Sequence, residues 1–297
     1  IARLVRHRMI RIATRSSAQA RTQAEVVGNA LRAATGRDYE LVFVETLGDK
    51  RRDVPLHTIG GQGVFVKEVQ HAVREGLADI AIHSAKDLPS ADTPGLVVGA
   101  WCERRDARDV LVGATIDDLA HGATVATGSV RRQAQLGAIR PDLTFTDLRG
   151  NITTRLEKVP AGGAIVMAAA ALQVLGLTDR IAQYLDLERF VPMVGQGCVA
   201  VECRDDDDES RHLLTTVDHP STRQAVETER AFLAEVGAGC TAPLGAHAAD
   251  GALSVFMASG PEPTARRFSA RRELTVGSGA HDVARELARE AVRAVER

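Results

Sequence analysis

The chain has 297 residues, 44% of them hydrophobic and 26% charged, a composition that fits a soluble globular protein and excludes a largely disordered one. That length exceeds what one hydrophobic core organises, so two or three domains are expected, with cores built from aliphatic side chains because aromatics make up only 3%. A formal charge of −2 gives no bulk attraction to nucleic acid or an anionic membrane, so any basic site must be a local cluster.

Residues 1–8 are basic, but Arg11 and Arg15 interrupt the stretch behind them, so no secretory signal is expected. The longest apolar run, residues 164–177, is too short and alanine-rich to span a bilayer. Four cysteines (Cys102, Cys198, Cys203 and Cys240) lack CxxC spacing, which predicts neither a zinc site nor a disulfide scaffold and points to a reducing, cytoplasmic location.

In chain order, a strand at 9–13, a helix at 17–34 closed by Gly36, a strand at 40–46, a helix at 64–75 closed by Gly76 and a strand at 79–84 give α/β alternation. Strands at 96–101 and 110–113 lead out of this unit, with the charged segment 103–109 between them as a hinge. The alternation then repeats: strand 124–126, helix 129–139 stopped by Pro141, strand 143–146, short helix 152–158 and strand 164–167. A strand at 198–203 is read as returning to the first lobe, and the acidic run 205–209 as a solvated turn and helix start. A helix at 220–235, a glycine-rich loop, short strands near His247 and at 253–259 and 267–276, and an amphipathic helix at 282–296 complete the chain. The expected fold is α/β with three domains: residues 1–103 plus 198–217 as one lobe, 104–197 as a second, and a small α+β domain at 218–297.

Helix N-termini carry about half a positive charge and disfavour cations in the first turn by a few tenths to about 1 kcal/mol each. Here Arg131 and Arg132 directly follow the N-cap candidate Ser129, Arg149 and Arg155 flank the helix entered through Gly150 and Asn151, and Arg15 precedes the Ser16 or Ser17 cap of the first helix. Three strand-to-helix junctions that break the dipole rule predict anions bound there, across a cleft between two lobes. Gly60-Gly61-Gln62-Gly63 lacks the ending of a phosphate loop, and the basic groove has no interleaved aromatics, so a small polycarboxylate fits better than a nucleotide or single-stranded nucleic acid.

The segments IATRSS, GVFVKE, HSAKDLP, GSVRRQAQL, LRGNITTRL, VGQGCVAVECR and GAGCTAPLG follow one another between residues 12 and 245. In order and spacing they resemble the signature segments of the hydroxymethylbilane synthase (porphobilinogen deaminase) family. The resemblance implies two lobes like those of periplasmic binding proteins and a small third domain. Its cysteine, Cys240 here, carries a dipyrromethane cofactor through a thioether. It implies no metal, no nucleic-acid or membrane partner, a monomer, and porphobilinogen as substrate, joined four times with loss of ammonia. Asp87 then matches the catalytic carboxylate, which stabilises the cationic azafulvene left by deamination. Lys86, Ser84, Thr127, Ser129, Arg131, Arg132 and Arg155 match cofactor-binding positions, and Arg15, Ser17 and Arg149 match positions at the incoming substrate and growing chain.

Thr58 and Gln62 stand where many relatives carry lysines, Val174 where an arginine is common, and Gly128 where a serine is common; the first three make the cleft less positive. On the residues alone Cys240 is a thiol in a glycine-rich loop with no nearby histidine, and two alternatives share the anion cleft. One is a non-catalytic two-lobed binding protein for a polycarboxylate, which needs no Cys240. The other is a group transferase using Cys240 transiently.

Overall fold

The computed structural model describes residues 9–46, 66–237, 243–274 and 279–296. Residues 1–8, the loop positions Thr58 and Gln62, and Cys240 lie outside them.

The runs IAIHS, AIVMA and VAVECR, buried except at their last residues Ser84 and Arg204, form interior strands, as expected for segments covered on both faces. In the first sheet, β1 (Ile10–Arg15), β2 (Tyr39–Val44), β3 (Ile80–Ser84) and β4 (Leu96–Trp101) join the late strand β10 (Val199–Arg204) in the order β2-β1-β3-β10-β4. β1 is parallel to β2 and β3, whereas β10 runs antiparallel to β3 and β4. The second sheet repeats this plan with β5 (Asp109–Val112), β6 (Thr124–Ala126), β7 (Thr144–Thr146), β8 (Ala164–Ala168) and β9 (Gln183–Tyr184) in the order β7-β6-β8-β5-β9. Here β5 is the antiparallel strand. In each sheet the strand that enters from the other lobe is the antiparallel one, so the chain crosses twice between lobes, before β5 and before β10.

The first sheet packs against α1 (Ala18–Thr35) and α2 (Lys67–Arg74). α1 buries Ala24, Val27, Gly28 and Leu31, the spacing of one helical face. Ser17 accepts a hydrogen bond from Ala20 N at its start, and Gly36, in the left-handed region at φ 71°, ends it. α3 (Val130–Ile139), α4 (Ile152–Leu156) and α5 (Ala169–Val174) belong to the second sheet, and α6 (Asp208–Leu214) returns to the first. The third sheet is antiparallel, β11 (Leu244–Ala249), β12 (Ala252–Ala258) and β13 (Arg267–Glu273), covered by α7 (Pro220–Val236) and α8 (Gly279–Glu296). Phe232, Leu244, Leu253, Val255, Leu287 and Ala291 form its core. Burying each large apolar side chain contributes on the order of 1.5–3 kcal/mol.

This is the expected mixed α/β fold with a small α+β unit, and the acidic run at 205–209 is the expected turn and helix start, with Asp207 capping α6 through Ser210 N. Several elements differ from the sequence reading, among them the edge strand β9, where no element was expected. β1 continues to Arg15, because pairing with β2 carries it past Ala13. The apolar run after β8 turns helical at Ala169: a row of alanines has strong helix propensity once no neighbouring strand pairs it.

Candidate functional site

β3 ends in a 3-10 turn, Ala85–Asp87, that presents Lys86 and Asp87 at the carboxyl end of the strand. The turn is tied to the second crossing by Ala85 N donating to Cys198 O (3.0 Å). Gly195 of that crossing has φ 70°, and a Cβ there would lie 3.0 Å from Ala85 Cβ and 3.3 Å from Lys86 N. Only glycine permits both the conformation and the approach. Burial pushes the Lys86 ammonium down to about 8; neighbouring Asp87 opposes the shift, while Arg132 and Arg155 from the other lobe reinforce it. The Lys86–Asp87 turn and Arg132 and Arg155 of the second lobe therefore share one electrostatic environment.

On the second lobe Ser129 caps α3, accepting from Arg132 N. Arg131 and Arg132 are 3% and 8% exposed and share one carboxylate, Asp109, which is fully buried at the start of β5. Arg131 Nη2 lies 2.8 Å from Oδ2, while Arg132 Nη2 and Nε lie 2.7 and 2.9 Å from Oδ1. Arg131 also donates to Val191 O and Arg132 to Val166 O. Burial alone would raise the Asp109 pKa, but the two guanidiniums outweigh it and hold the carboxyl below its ordinary value. The sequence reading compensated these two cations with an external anion; the structure supplies an internal one. The compensation is incomplete, since two guanidiniums face one carboxylate.

Arg155, on α4, donates from Nε to Gly150 O (2.8 Å). Burial lowers its pKa, as does Arg132, and Asp87 opposes the shift. Arg149 pairs with Asp147 at 3.4 Å. Thr127 is buried beneath the α3 cap, its Oγ1 accepting from Ser129 N (3.2 Å). Gly128 between them leaves room for Asp147: a Cβ there would meet its Oδ1 at 2.7 Å. Arg15 ends β1 and Ser17 caps α1, so both stand at the carboxyl edge of the first sheet, and Ser84 ends β3 beside them. Among the described residues, α1, α3 and α4 carry no acidic side chain in their first turns, a feature shared with α5 and α7, whereas α2, α6 and α8 do carry one.

The segment holding Cys240 is flanked by α7, which ends at Gly237, and by β11. Both flanks meet at Glu229, fully buried on α7. Its carboxylate accepts from Arg104 Nη1 (2.6 Å) and Nη2 (3.2 Å), from Gly195 N (2.8 Å) and from Ala248 N (2.9 Å), with His247 Nδ1 at 3.4 Å. Burial would raise this carboxyl, yet Arg104 and His247 bring it down to about 2. Both interlobe crossings and the third sheet are thus bound at one carboxylate. Burial raises the other thiols, Cys102 to about 12, Cys203 to about 11 and Cys198 higher still, so all three are poor nucleophiles at neutral pH.

Sequence reasoning missed Asp109, Glu229, Gln196 and Gln23. Gln196 donates to Ala107 O (2.7 Å) and to Asp109 Oδ1 (3.1 Å), and Gln23 Oε1 accepts from Ser84 Oγ (3.3 Å). Gln196 lies inside the quoted segment VGQGCVAVECR, so its place was marked although its partner was not. Among the described residues no cluster of His, Cys, Asp and Glu could hold a metal ion, and no helix is long and apolar enough to cross a membrane.

Residues 10–212 match the family model "Porphobilinogen deaminase, dipyromethane cofactor binding domain". The chain is 43% identical over 296 residues to a porphobilinogen deaminase of Acidothermus cellulolyticus, covering 96% of this chain and 89% of that one. To a porphobilinogen deaminase of Roseiflexus castenholzii it is 47% identical over 241 residues, covering 79% and 80%. Among solved structures, the methionine binding protein MetQ is similar over 73% of this chain and 92% of that one at 14% identity, with a TM-score of 0.46. The match to the family model and the identity to these relatives establish that the chain belongs to the porphobilinogen deaminase (hydroxymethylbilane synthase) family.

Proposed function

We propose that Asp87 is the catalytic carboxylate of this hydroxymethylbilane synthase, which joins four porphobilinogen molecules head to tail with release of ammonia and then hydrolyses off hydroxymethylbilane for tetrapyrrole and haem biosynthesis. The observation that carries this is the placement of Asp87 on the 3-10 turn at the carboxyl end of β3, a turn tied to the second crossing by Ala85 N donating to Cys198 O (3.0 Å). A carboxylate among cations can stabilise the azafulvenium formed when porphobilinogen loses ammonia, and can accept the proton released as each carbon–carbon bond forms. Its position at the end of a rigid central strand holds it still while successive pyrroles pass.

The cleft fits a dipyrromethane. The surplus positive charge on the Asp109 cluster, and the half-buried Lys86 and Arg155, suit its carboxylate side chains. When bound, this group supplies the nucleophilic pyrrole carbon. Cys240 is the residue proposed to hold it, and it is the remaining candidate once burial disqualifies the other three thiols. Lys86, Ser84, Thr127, Ser129, Arg131, Arg132 and Arg155 are proposed to hold its acid groups and orient its rings, and Arg15, Ser17 and Arg149 to hold the incoming monomer. A non-catalytic receptor is not favoured, since the relatives are named as enzymes.

The sheets support a division into 1–103 plus 198–217, 104–197 and 218–297, with the crossings at the borders. A cytoplasmic monomer that binds neither nucleic acid nor membrane completes the reading, supported by the formal charge of −2, which gives no bulk attraction to a polyanion. Intact-mass spectrometry tests it. The purified protein is expected to exceed its sequence mass by one dipyrromethane, to lose that adduct in Cys240→Ser, and to show a ladder of added pyrroles with porphobilinogen. An unmodified mass in fully active protein overturns the assignment.

A further inference from the structure

Arg230 lies on α7, the helix that leads into the segment holding Cys240. Its side chain is 12% exposed, yet the acid it meets, Asp92 at 3.4 Å, is 91% exposed, so that pair is screened by solvent and contributes little. The guanidinium is engaged instead by backbone and by a ring. Nη1 donates to Pro89 O (2.9 Å) and Nη2 to Ser90 O (3.4 Å), while Cζ stands 5.7 Å from the centre of the buried Trp101 ring. Pro89 and Ser90 follow the Lys86–Asp87 turn in the chain, and the link between them is stiff. Leu88 N closes the turn by donating to Ala85 O (3.2 Å). Leu88 itself is buried and extended at φ −65° and ψ 143°, the conformation favoured before proline, and the Pro89 ring fixes the next φ. A displacement of the Pro89 carbonyl is therefore passed back to Asp87 rather than absorbed between them. Farther along, the same segment is held from within its own lobe by Gln70 of α2, whose amide donates to Thr93 Oγ1 (3.0 Å) and to both oxygens of the buried Glu202 (3.1 and 2.9 Å). Glu229, the residue before Arg230, faces the crossings and β11. Adjacent side chains of one helix, about 100° apart around its axis, thus register α7 against the crossings on one side and against the segment after Asp87 on the other.

We propose that Arg230 is a positioning residue for the reaction: it fixes the segment that follows Asp87 to the helix that leads to Cys240, and so sets the catalytic carboxylate against the tethered chain. The inference rests on the roles proposed above for Asp87 and Cys240. Because Asp87 serves every addition, an error in its placement slows each addition alike. Loss of a contact to the monomer or to the growing chain would instead raise KM or stall one addition.

The test uses the full-length, cofactor-bearing enzyme with Arg230→Gln, Arg230→Lys and Asp92→Asn, measuring kcat and KM for porphobilinogen and the time course of the mass ladder. Arg230→Gln is expected to keep the cofactor mass and a KM within twofold of wild type while lowering kcat about tenfold, the scale of a slightly displaced catalytic group, and slowing every rung by a similar factor. Arg230→Lys keeps the charge without the planar fork and is expected to lie between Arg230→Gln and wild type; it carries the same test if Arg230→Gln does not fold. Asp92→Asn removes only the exposed pair and is expected to stay within twofold of wild type. A kcat within twofold of wild type in both Arg230 variants, a stall at one rung, a raised KM with kcat unchanged, or a loss in Asp92→Asn equal to that in Arg230→Gln overturns the positioning role. Asp87→Asn run alongside separates the two readings: near-normal turnover there overturns the catalytic assignment, whereas an inactive Asp87→Asn beside normal Arg230 variants overturns the positioning role alone.

Discussion

Two buried carboxylates in this molecule bind arginine and do opposite things with it. Glu229 is saturated: one guanidinium, two backbone N–H groups and a nearby imidazole surround it, drawn from three parts of the chain, the first crossing, the second crossing and β11. Asp109 is oversubscribed, with two guanidiniums and the Gln196 amide competing for it beside a cleft that also holds Lys86 and Arg155. A balanced cluster has no electrostatic call for a ligand and serves architecture. A cluster with surplus charge is costly in the empty protein and is relieved when an anion arrives, so it serves binding. The stoichiometry of charge around a buried acid separates the two roles.

The sharpest way to break this comparison begins outside both clusters. Asp87→Asn is expected to keep the fold and the cofactor mass while lowering turnover by about 10²–10⁴-fold, the range of a lost acid–base group. Near-normal turnover would move the catalytic role elsewhere.

Next, Arg104→Gln and Arg132→Gln are compared on a Cys240→Ser background, so that cofactor loss cannot alter stability. Arg104→Gln strips Glu229 of its guanidinium and is expected to cost about 3–5 kcal/mol in denaturant unfolding. Arg132→Gln leaves Asp109 paired with Arg131 and is expected to cost well under half of that. With Cys240 restored, Arg132→Gln is expected to be the variant that lacks the adduct. Equal losses of stability would remove the distinction between the clusters. The pH dependence sharpens it. The folded Glu229 carboxyl, at about 2, lies below its ordinary value of 4.5, so its contribution to stability is present above pH 4.5 and drains away as pH falls toward 2. Acid titration of Arg104→Gln should show a shallower loss over that window.

A smaller effect is expected at the contact between the crossing and the catalytic turn. Gly195→Ala forces a side chain into the left-handed region against Ala85 and should cost about 1–2 kcal/mol, with a drop in kcat larger than any change in KM. The mildest is Lys86→Arg. Since burial holds Lys86 near 8, kcat/KM should fall as pH rises through about 8 and the cation proposed to hold the cofactor's acid groups is lost. An arginine keeps its charge, so the limb should move to higher pH in the variant; an unmoved limb would assign it to another group.

Much of this was legible in the amino-acid sequence. The Ser17 and Ser129 caps, the Gly36 stop and the VAVEC strand follow from local rules that act over three or four residues, and the arginines at the starts of α1, α3 and α4 pointed to an anion cleft before any fold was known. Seven ordered segments marked the family. The partners of the arginines were not legible. Arg132 meets an aspartate 23 positions away, and Arg104 meets a glutamate 125 positions away. The same three-arginine crossing, 104–108, supplies two locked side chains and one uncommitted one, with nothing in its composition to say which. Secondary structure is encoded by neighbours, through propensity, capping and periodicity, and can be read one segment at a time. Whether a buried charge is balanced or in surplus depends on which distant strands and helices the fold brings against it, and that only the tertiary structure decides.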